Sequence, residues 1–101
     1  MPVAEIVVVP LGTASPSLSC YVAEVEKVIQ ASGLVYQLTP MCTCVEGSLE
    51  QILDLTRAAH QCLFQVEGVL RVSTTLKIDE RRDKPLTLAG KVRAIEEKLG
   101  A

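Results

Sequence analysis

Hydrophobic residues follow two periods along this chain, and the switches between them mark its elements. Glu5 to Leu11, EIVVVPL, is almost continuously apolar, which predicts a strand covered on both sides. Pro10 belongs near its end, where a missing N–H donor is tolerated. GTASPS reads as a loop, with Ser15 as the cap of a following helix and Pro16 at its first position. Leu18, Tyr21, Val22, Val25, Val28 and Ile29 then recur at helical spacing, with Glu24, Lys27 and Gln30 on the wet side. Gly33 ends that helix.

Leu34–Thr39 and Met41–Glu46 predict two strands, or one bent strand, interrupted at Pro40. Ser48 and Gln51 fit a capping box opening a second helix. Its expected inner face is Leu49, Ile52, Leu53, Thr56, Ala59, His60 and Leu63, and Gly68 closes it. From Val69 to Asp79 the period returns to two. Leu70, Val72, Thr74, Leu76 and Ile78 face a core, and Arg71, Ser73, Thr75, Lys77 and Asp79 face away. Leu88, Val92, Ile95 and Leu99 give a short third helix.

The order β-α-β-β-α-β-α points to an α+β fold: a ferredoxin-like β-α-β-β-α-β sandwich with an additional C-terminal helix, spanning residues 1–101 as one domain. Two-layer packing explains only one of the two apolar faces of Glu5–Leu11. A second subunit or the third helix is the simplest cover for the other, so a homo-oligomer is expected.

Composition narrows the function. The chain is 49% hydrophobic but only 3% aromatic, so Val, Leu, Ile and Ala fill the interior. Ten basic and twelve acidic residues give a formal net charge of -2, which favours neither nucleic acid nor an anionic membrane as partner. No apolar run approaches a membrane span, and MPVAEIVVV carries Glu5 and no basic segment of a signal peptide. A cytoplasmic location is therefore expected.

The four cysteines, Cys20, Cys42, Cys44 and Cys62, match no zinc signature. Cys42 and Cys44, two apart in a strand-like run, point to one face. Free thiols packed as small hydrophobes, a disulfide and a metal site are the competing readings. The one histidine, His60, falls on a helix face beside Leu53, Thr56 and Leu63, without an evident catalytic partner. No phosphate loop, dinucleotide fingerprint, nucleophile elbow or zinc-protease motif occurs. The sequence offers no catalytic residue, no metal ligand set and no resident cofactor.

Strand hydroxyls are the stronger candidates for binding. Thr39, Thr43, Ser73 and Thr75 are held rigidly and can donate or accept, as a small heteroaromatic ligand inside an apolar wall requires. Glu46 and Asp79 could balance a ligand's positive charge from the rim, and Tyr36 could supply a stacking surface near the Thr39-Pro40-Met41 bend. The run Asp79–Lys84 holds three acids and three bases, so it is no general phosphate magnet. Arg81 or Arg82 could clamp a carboxylate of a neighbouring subunit, with Asp83 beside them at an interface or pocket rim; a solvated turn with weak surface pairs is the alternative.

Three segments taken together, VAEIVVVPLGTASPSLSCYV, GLVYQLTPMCTCVEGSLEQIL and RVSTTLKIDERRDKPLTLAGKV, resemble the small family of thiamine-binding proteins. The match runs from about Val3 to Leu99. It is carried by P-L-G-T, L-T-P-M and K-I-D-x-R-R-D-K-P in that order. The resemblance implies a ferredoxin-like fold with an extra C-terminal helix, assembly as a dimer or dimer of dimers, and non-catalytic binding of thiamine or its hydroxymethylpyrimidine part. Family members often carry glycine and an aliphatic residue where this chain has Cys42 and Cys44. An oligomeric regulatory or structural protein without a small ligand, and a cysteine-dependent metal or redox protein, are the alternative functions.

Overall fold

The computed structural model describes residues 1–100. The elements are β1 (Val3–Pro10), α1 (Ser19–Ala31), β2 (Val35–Leu38), β3 (Thr43–Glu46), α2 (Leu49–Cys62), a 3-10 turn (Leu63–Gln65), β4 (Val72–Asp79) and α3 (Leu88–Lys98). The four strands form one antiparallel sheet in the order β2-β3-β1-β4. This is the ferredoxin-like α+β arrangement that the pattern predicts, with α3 as the additional helix.

Strand β1 is central, and it is apolar at every position except Glu5. Every one of its residues pairs with β4, from Val3 opposite Asp79 to Pro10 opposite Val72. Its first four also pair with β3. Alternation then sorts its side chains. Ala4, Ile6 and Val8 enter the core with Val45, the α1 residues Val25 and Ile29, the α2 residues Ile52, Leu55 and Ala59, and Leu63 of the 3-10 turn. Val3, Glu5, Val7 and Val9 point to the opposite face. Val3 alone among them is fully buried.

Local chemistry sets the helix ends. Ser48 accepts from the Gln51 amide and the Gln51 side chain returns to the Ser48 amide, completing the expected capping box. Helix α1 starts later than the Ser15-Pro16 reading predicts. The Ser15 hydroxyl accepts from the Ser17 amide at 3.1 Å, within the loop, so it is not available to cap a helix. The first turn opens instead at Leu18, with no side-chain cap. Gly33 and Gly68 take φ of +75° and +84°, the left-handed turns that let the chain leave α1 and the segment after α2.

Two expected core faces are corrected. Of the expected α2 face, Ile52 and Ala59 are buried, as is Leu63 in the 3-10 turn, and Leu55 joins them, whereas Leu49 and Leu53 are each 44% exposed. Spacings of three, four and four choose this stripe over the neighbouring one. Leu70 is 91% exposed, because β4 begins only at Val72 and the two-residue period does not extend back to it.

Helix α3 lies away from the α1–α2 layer and buries none of its own residues. Thr87 caps it by accepting from the Gly90 amide at 2.9 Å. A side chain at Gly90 would place its Cβ 2.7 Å from the Thr87 hydroxyl, so glycine permits the cap. The helix is tethered by Glu46, whose Oε1 accepts from the Leu88 amide at 3.2 Å, and by Lys91, whose Nζ lies 2.5 Å from Asp79 Oδ2. Among the described residues no helix is long and apolar enough to cross a membrane.

Candidate functional site

The sheet divides the polar residues into two groups. Strands β1 and β3 pair with Ile6 opposite Thr43 and Glu5 opposite Cys44. Thr43 therefore shares the helix-covered face with Ile6, while Cys44 and Glu46 share the other face with Glu5 and Val3. On β4, Ser73, Thr75, Lys77 and Asp79 oppose Val9, Val7, Glu5 and Val3 and belong to that second face. Thr43 does not sit beside Ser73 and Thr75: β1 separates their strands, and the side chains leave opposite sides of the sheet. Tyr36, opposite Val45 on β2, and Thr39, in the β2–β3 turn, go with Thr43.

On the helix-covered side, a cleft of about 380 Å³ opens between the start of α1, the end of β1 and the β2–β3 turn. Its walls are apolar, with Ile6, Val8, Val22, Val25 and Leu38 among them, and Thr39 to Cys42 form its lip. The turn is held by Thr39, whose hydroxyl donates to the Cys42 carbonyl at 2.8 Å and accepts from the Cys42 amide at 3.1 Å. That hydroxyl is committed to holding the turn at the lip of the cleft.

The chemistry inside this cleft comes from Glu26 and Thr43. Thr43 is buried, and its hydroxyl donates to Glu26 Oε1. Glu26 Oε2 is also buried but has no hydrogen-bond partner. A desolvated carboxylate oxygen without a donor is costly, and in a cleft it is a fixed acceptor awaiting an N–H. Glu26 also lines a neighbouring groove with Tyr36, Leu38 and Lys27. Tyr36 thus stands near the carboxylate but outside the first cleft.

Sequence reading passes over Glu26. Its signal is visible in retrospect: it sits four residues after Val22 and next to Val25, on the edge of the apolar stripe of α1 rather than on the wet side with Glu24 and Lys27. An acid at the margin of a core stripe needs a partner, and the strand beneath provides one.

On the opposite face a second, smaller cleft of about 250 Å³ lies between the sheet and α3, lined by Glu5, Gln37, Cys44, Lys77, Asp79, Leu88, Lys91 and Val92. Asp79 is held by Lys91, whose hydrogen bond and charge keep its carboxyl below the usual range. Glu46 is occupied at the start of α3. Ser73 and Thr75 lie farther along the face, on neither cleft's lining. In the charged bend, Arg81 grips Asp83 with two parallel hydrogen bonds, Nε to Oδ1 at 2.6 Å and Nη2 to Oδ2. This contact brings Asp83 down to about 2. The Arg81 fork is therefore satisfied within its own chain.

His60 shares a hydrogen bond of 2.6 Å with Thr74 through Nδ1 and meets the edge of Phe64, a supported side chain at the edge of the core. All four cysteines are free thiols. Among the described residues, no group of three or more His, Cys, Asp or Glu side chains is placed to hold a metal ion.

Comparison with known proteins places this arrangement. Residues 4–96 match the family described as thiamine-binding proteins. The UPF0045 protein YqgV of Bacillus subtilis is 43% identical over 103 aligned positions that cover 98% of both chains. The crystal structure of a hypothetical protein from Methanocaldococcus jannaschii superposes with a TM-score of 0.84 at 39% identity, covering 95% of this chain and 96% of that one. A Thermotoga maritima protein proposed to act in thiamine biosynthesis or salvage superposes with a TM-score of 0.79 at 26% identity, covering 93% and 97%. Sequence motifs, strand order and near full-length similarity agree, and the chain belongs to the thiamine-binding protein family.

Proposed function

We propose that the cleft between α1, β1 and the β2–β3 turn binds the aminopyrimidine of thiamine, or hydroxymethylpyrimidine itself, without catalysing a reaction on it. The observation that carries this reading is the buried, unpartnered Oε2 of Glu26 at an apolar-walled cleft. The exocyclic amine of the pyrimidine donates N–H groups that such an oxygen accepts. The ring fits between aliphatic walls. The Glu26 charge also favours the cationic thiazolium of intact thiamine. Family membership, and the role proposed for the Thermotoga maritima relative, support the same ligand class.

No lysine or arginine lines this cleft, and no glycine-rich loop borders it, so nothing there receives a diphosphate. Titration calorimetry with thiamine, hydroxymethylpyrimidine and thiamine diphosphate tests the proposal. Saturable heat with the first two and weaker binding of the third is the expected result. Absence of binding by all three at millimolar ligand refutes it.

The same reading includes self-association as a dimer or dimer of dimers. Val92, Ile95 and Leu99 leave an exposed apolar row on and just beyond α3, and Val7 and Val9 are only half covered on the adjoining sheet face. A second copy of the chain is the proposed cover. Light scattering at micromolar protein showing mainly monomer would remove this part of the proposal.

A further inference from the structure

Cys42 and Cys44 flank Thr43, and their side chains meet on the side away from Thr43. The two Sγ atoms are 3.9 Å apart, and Cys42 Sγ is 3.6 Å from Glu5 Oε2. Both cysteines are half-buried, and among the described residues no ion pair involves Glu5. Two thiols and a carboxylate thus converge, with Lys77 opposite Glu5 on β4 but outside ion-pair distance. Burial, and then the neighbouring Cys42 and Glu5, push the Cys44 thiol up.

We propose that Cys42 and Cys44 form a two-thiolate site for a soft, thiophilic ion of the Cu(I) class. The inference does not depend on the pyrimidine cleft. Softness follows from the donors, since thiolates select Cu(I) over hard cations. Low coordination follows from the count: a structural zinc site needs four protein donors, and this cluster offers two sulfurs, with the Glu5 carboxylate beside only one of them. With metal–sulfur bonds of about 2.3 Å, sulfurs 3.9 Å apart bracket an ion at an angle of about 115°. Separating the sulfurs by about 0.7 Å more makes the arrangement linear, within reach of small χ1 adjustments.

A disulfide fits less well. Residues two apart on an extended chain are separated by about 6.6 Å and send their Cβ atoms in parallel, at the outer limit of what a disulfide spans. Binding needs no redox partner. Two S–H bonds break, two sulfur–metal bonds form, two protons pass to solvent, and the ion keeps its valence. The negative charge of Glu5, which opposes thiolate formation in the free protein, then attracts the bound cation.

The test is anaerobic titration of the whole chain with up to one equivalent of Cu(I), read by native mass spectrometry and by alkylation mapping. One Cu(I) per chain, with Cys42 and Cys44 protected while Cys20 and Cys62 still react, is the expected result. Cys42→Ser and Cys44→Ser each abolish the one-to-one complex, and Cys20→Ser leaves it intact. No one-to-one complex, equal protection of all four thiols, or a complex that survives Cys42→Ser/Cys44→Ser overturns the assignment. The alkylation map is made on the unaltered chain, so the outcome does not depend on any variant folding.

Discussion

Thr43 and Glu26 are joined across the layer boundary: the Thr43 hydroxyl donates to one carboxylate oxygen of Glu26, and the other oxygen is buried without a donor. Thr43→Val strips the last partner from a buried carboxylate and costs about 1–3 kcal/mol. Adding Glu26→Met to that variant removes the stranded charge and restores most of the loss, because replacing both partners with apolar groups is close to neutral. Urea unfolding of the two singles and the double gives the coupling directly. A double variant no more stable than Thr43→Val would show that this pair is not a coupled unit.

The same carboxylate makes a ligand prediction. Glu26→Gln replaces a charged acceptor with a neutral amide and weakens pyrimidine binding by about 10- to 150-fold, the equivalent of a charge-assisted hydrogen bond worth about 1.5–3 kcal/mol. Calorimetry with hydroxymethylpyrimidine, which lacks the thiazolium, isolates this contact. Unchanged affinity in the variant would move the site elsewhere.

Acid acts on the α3 tether. The Lys91 hydrogen bond lowers the folded value of Asp79, so folding favours the ionised carboxylate. The resulting stability is fully present above the ordinary carboxylate range and is lost as pH falls through the lowered folded value. Lys91→Met should flatten the acid limb of the stability profile while leaving the limb above neutrality in place. Thermal melts from pH 7 to pH 2 measure this.

Burial separates two leucine-sized positions that the sequence treats alike. Ile52→Ala removes a fully buried side chain between α2 and the sheet and costs about 2–5 kcal/mol. Leu70→Ala, at an almost fully exposed site, stays within about 0.5 kcal/mol of the parent. Chemical denaturation midpoints at constant m-value distinguish them.

Arg81 and Arg82 are adjacent but differ in availability. Arg81 is already bound to Asp83, so Arg81→Ala mainly frees that carboxylate. Arg82 has no ion pair among the described residues and is the arginine proposed to reach a second copy. Arg82→Ala should loosen the proposed assembly more than Arg81→Ala in sedimentation at matched concentration. The reverse order would place the contact on the Arg81–Asp83 pair.

Much of this molecule is legible from its periods, and the failures are specific. β1, the capping box at Ser48 and the turn at Gly33 follow from apolar continuity, reciprocal hydrogen bonds and freedom at positive φ. The α1 start fails because the Ser15 hydroxyl has a second use inside its own loop, which no helix signal reveals. The α2 face is right at Ile52, Ala59 and Leu63 but includes Leu49 and Leu53 and misses Leu55, because these leucines are equally apolar and only the sheet beneath selects among them. Thr43 is identified as a candidate from its side chain alone. Its partner Glu26 is not, because the contact joins residues far apart in sequence, and a carboxylate reads by default as solvated. Ser73 and Thr75 look equivalent to Thr43 until the strand order puts them on the other side of the sheet.

Helix α3 has eleven residues and buries none of them, and it is too short to persist alone in water. Its helicity is therefore borrowed from the Glu46 and Asp79 tethers. Its amides should exchange with deuterium through a local opening that leaves the β1–β4 ladder protected, the low-energy end of the molecule's range of opening events. The smaller cleft includes Leu88, Lys91 and Val92 in its wall, so each such opening also dismantles that cleft. It exists only for the fraction of time that α3 is docked.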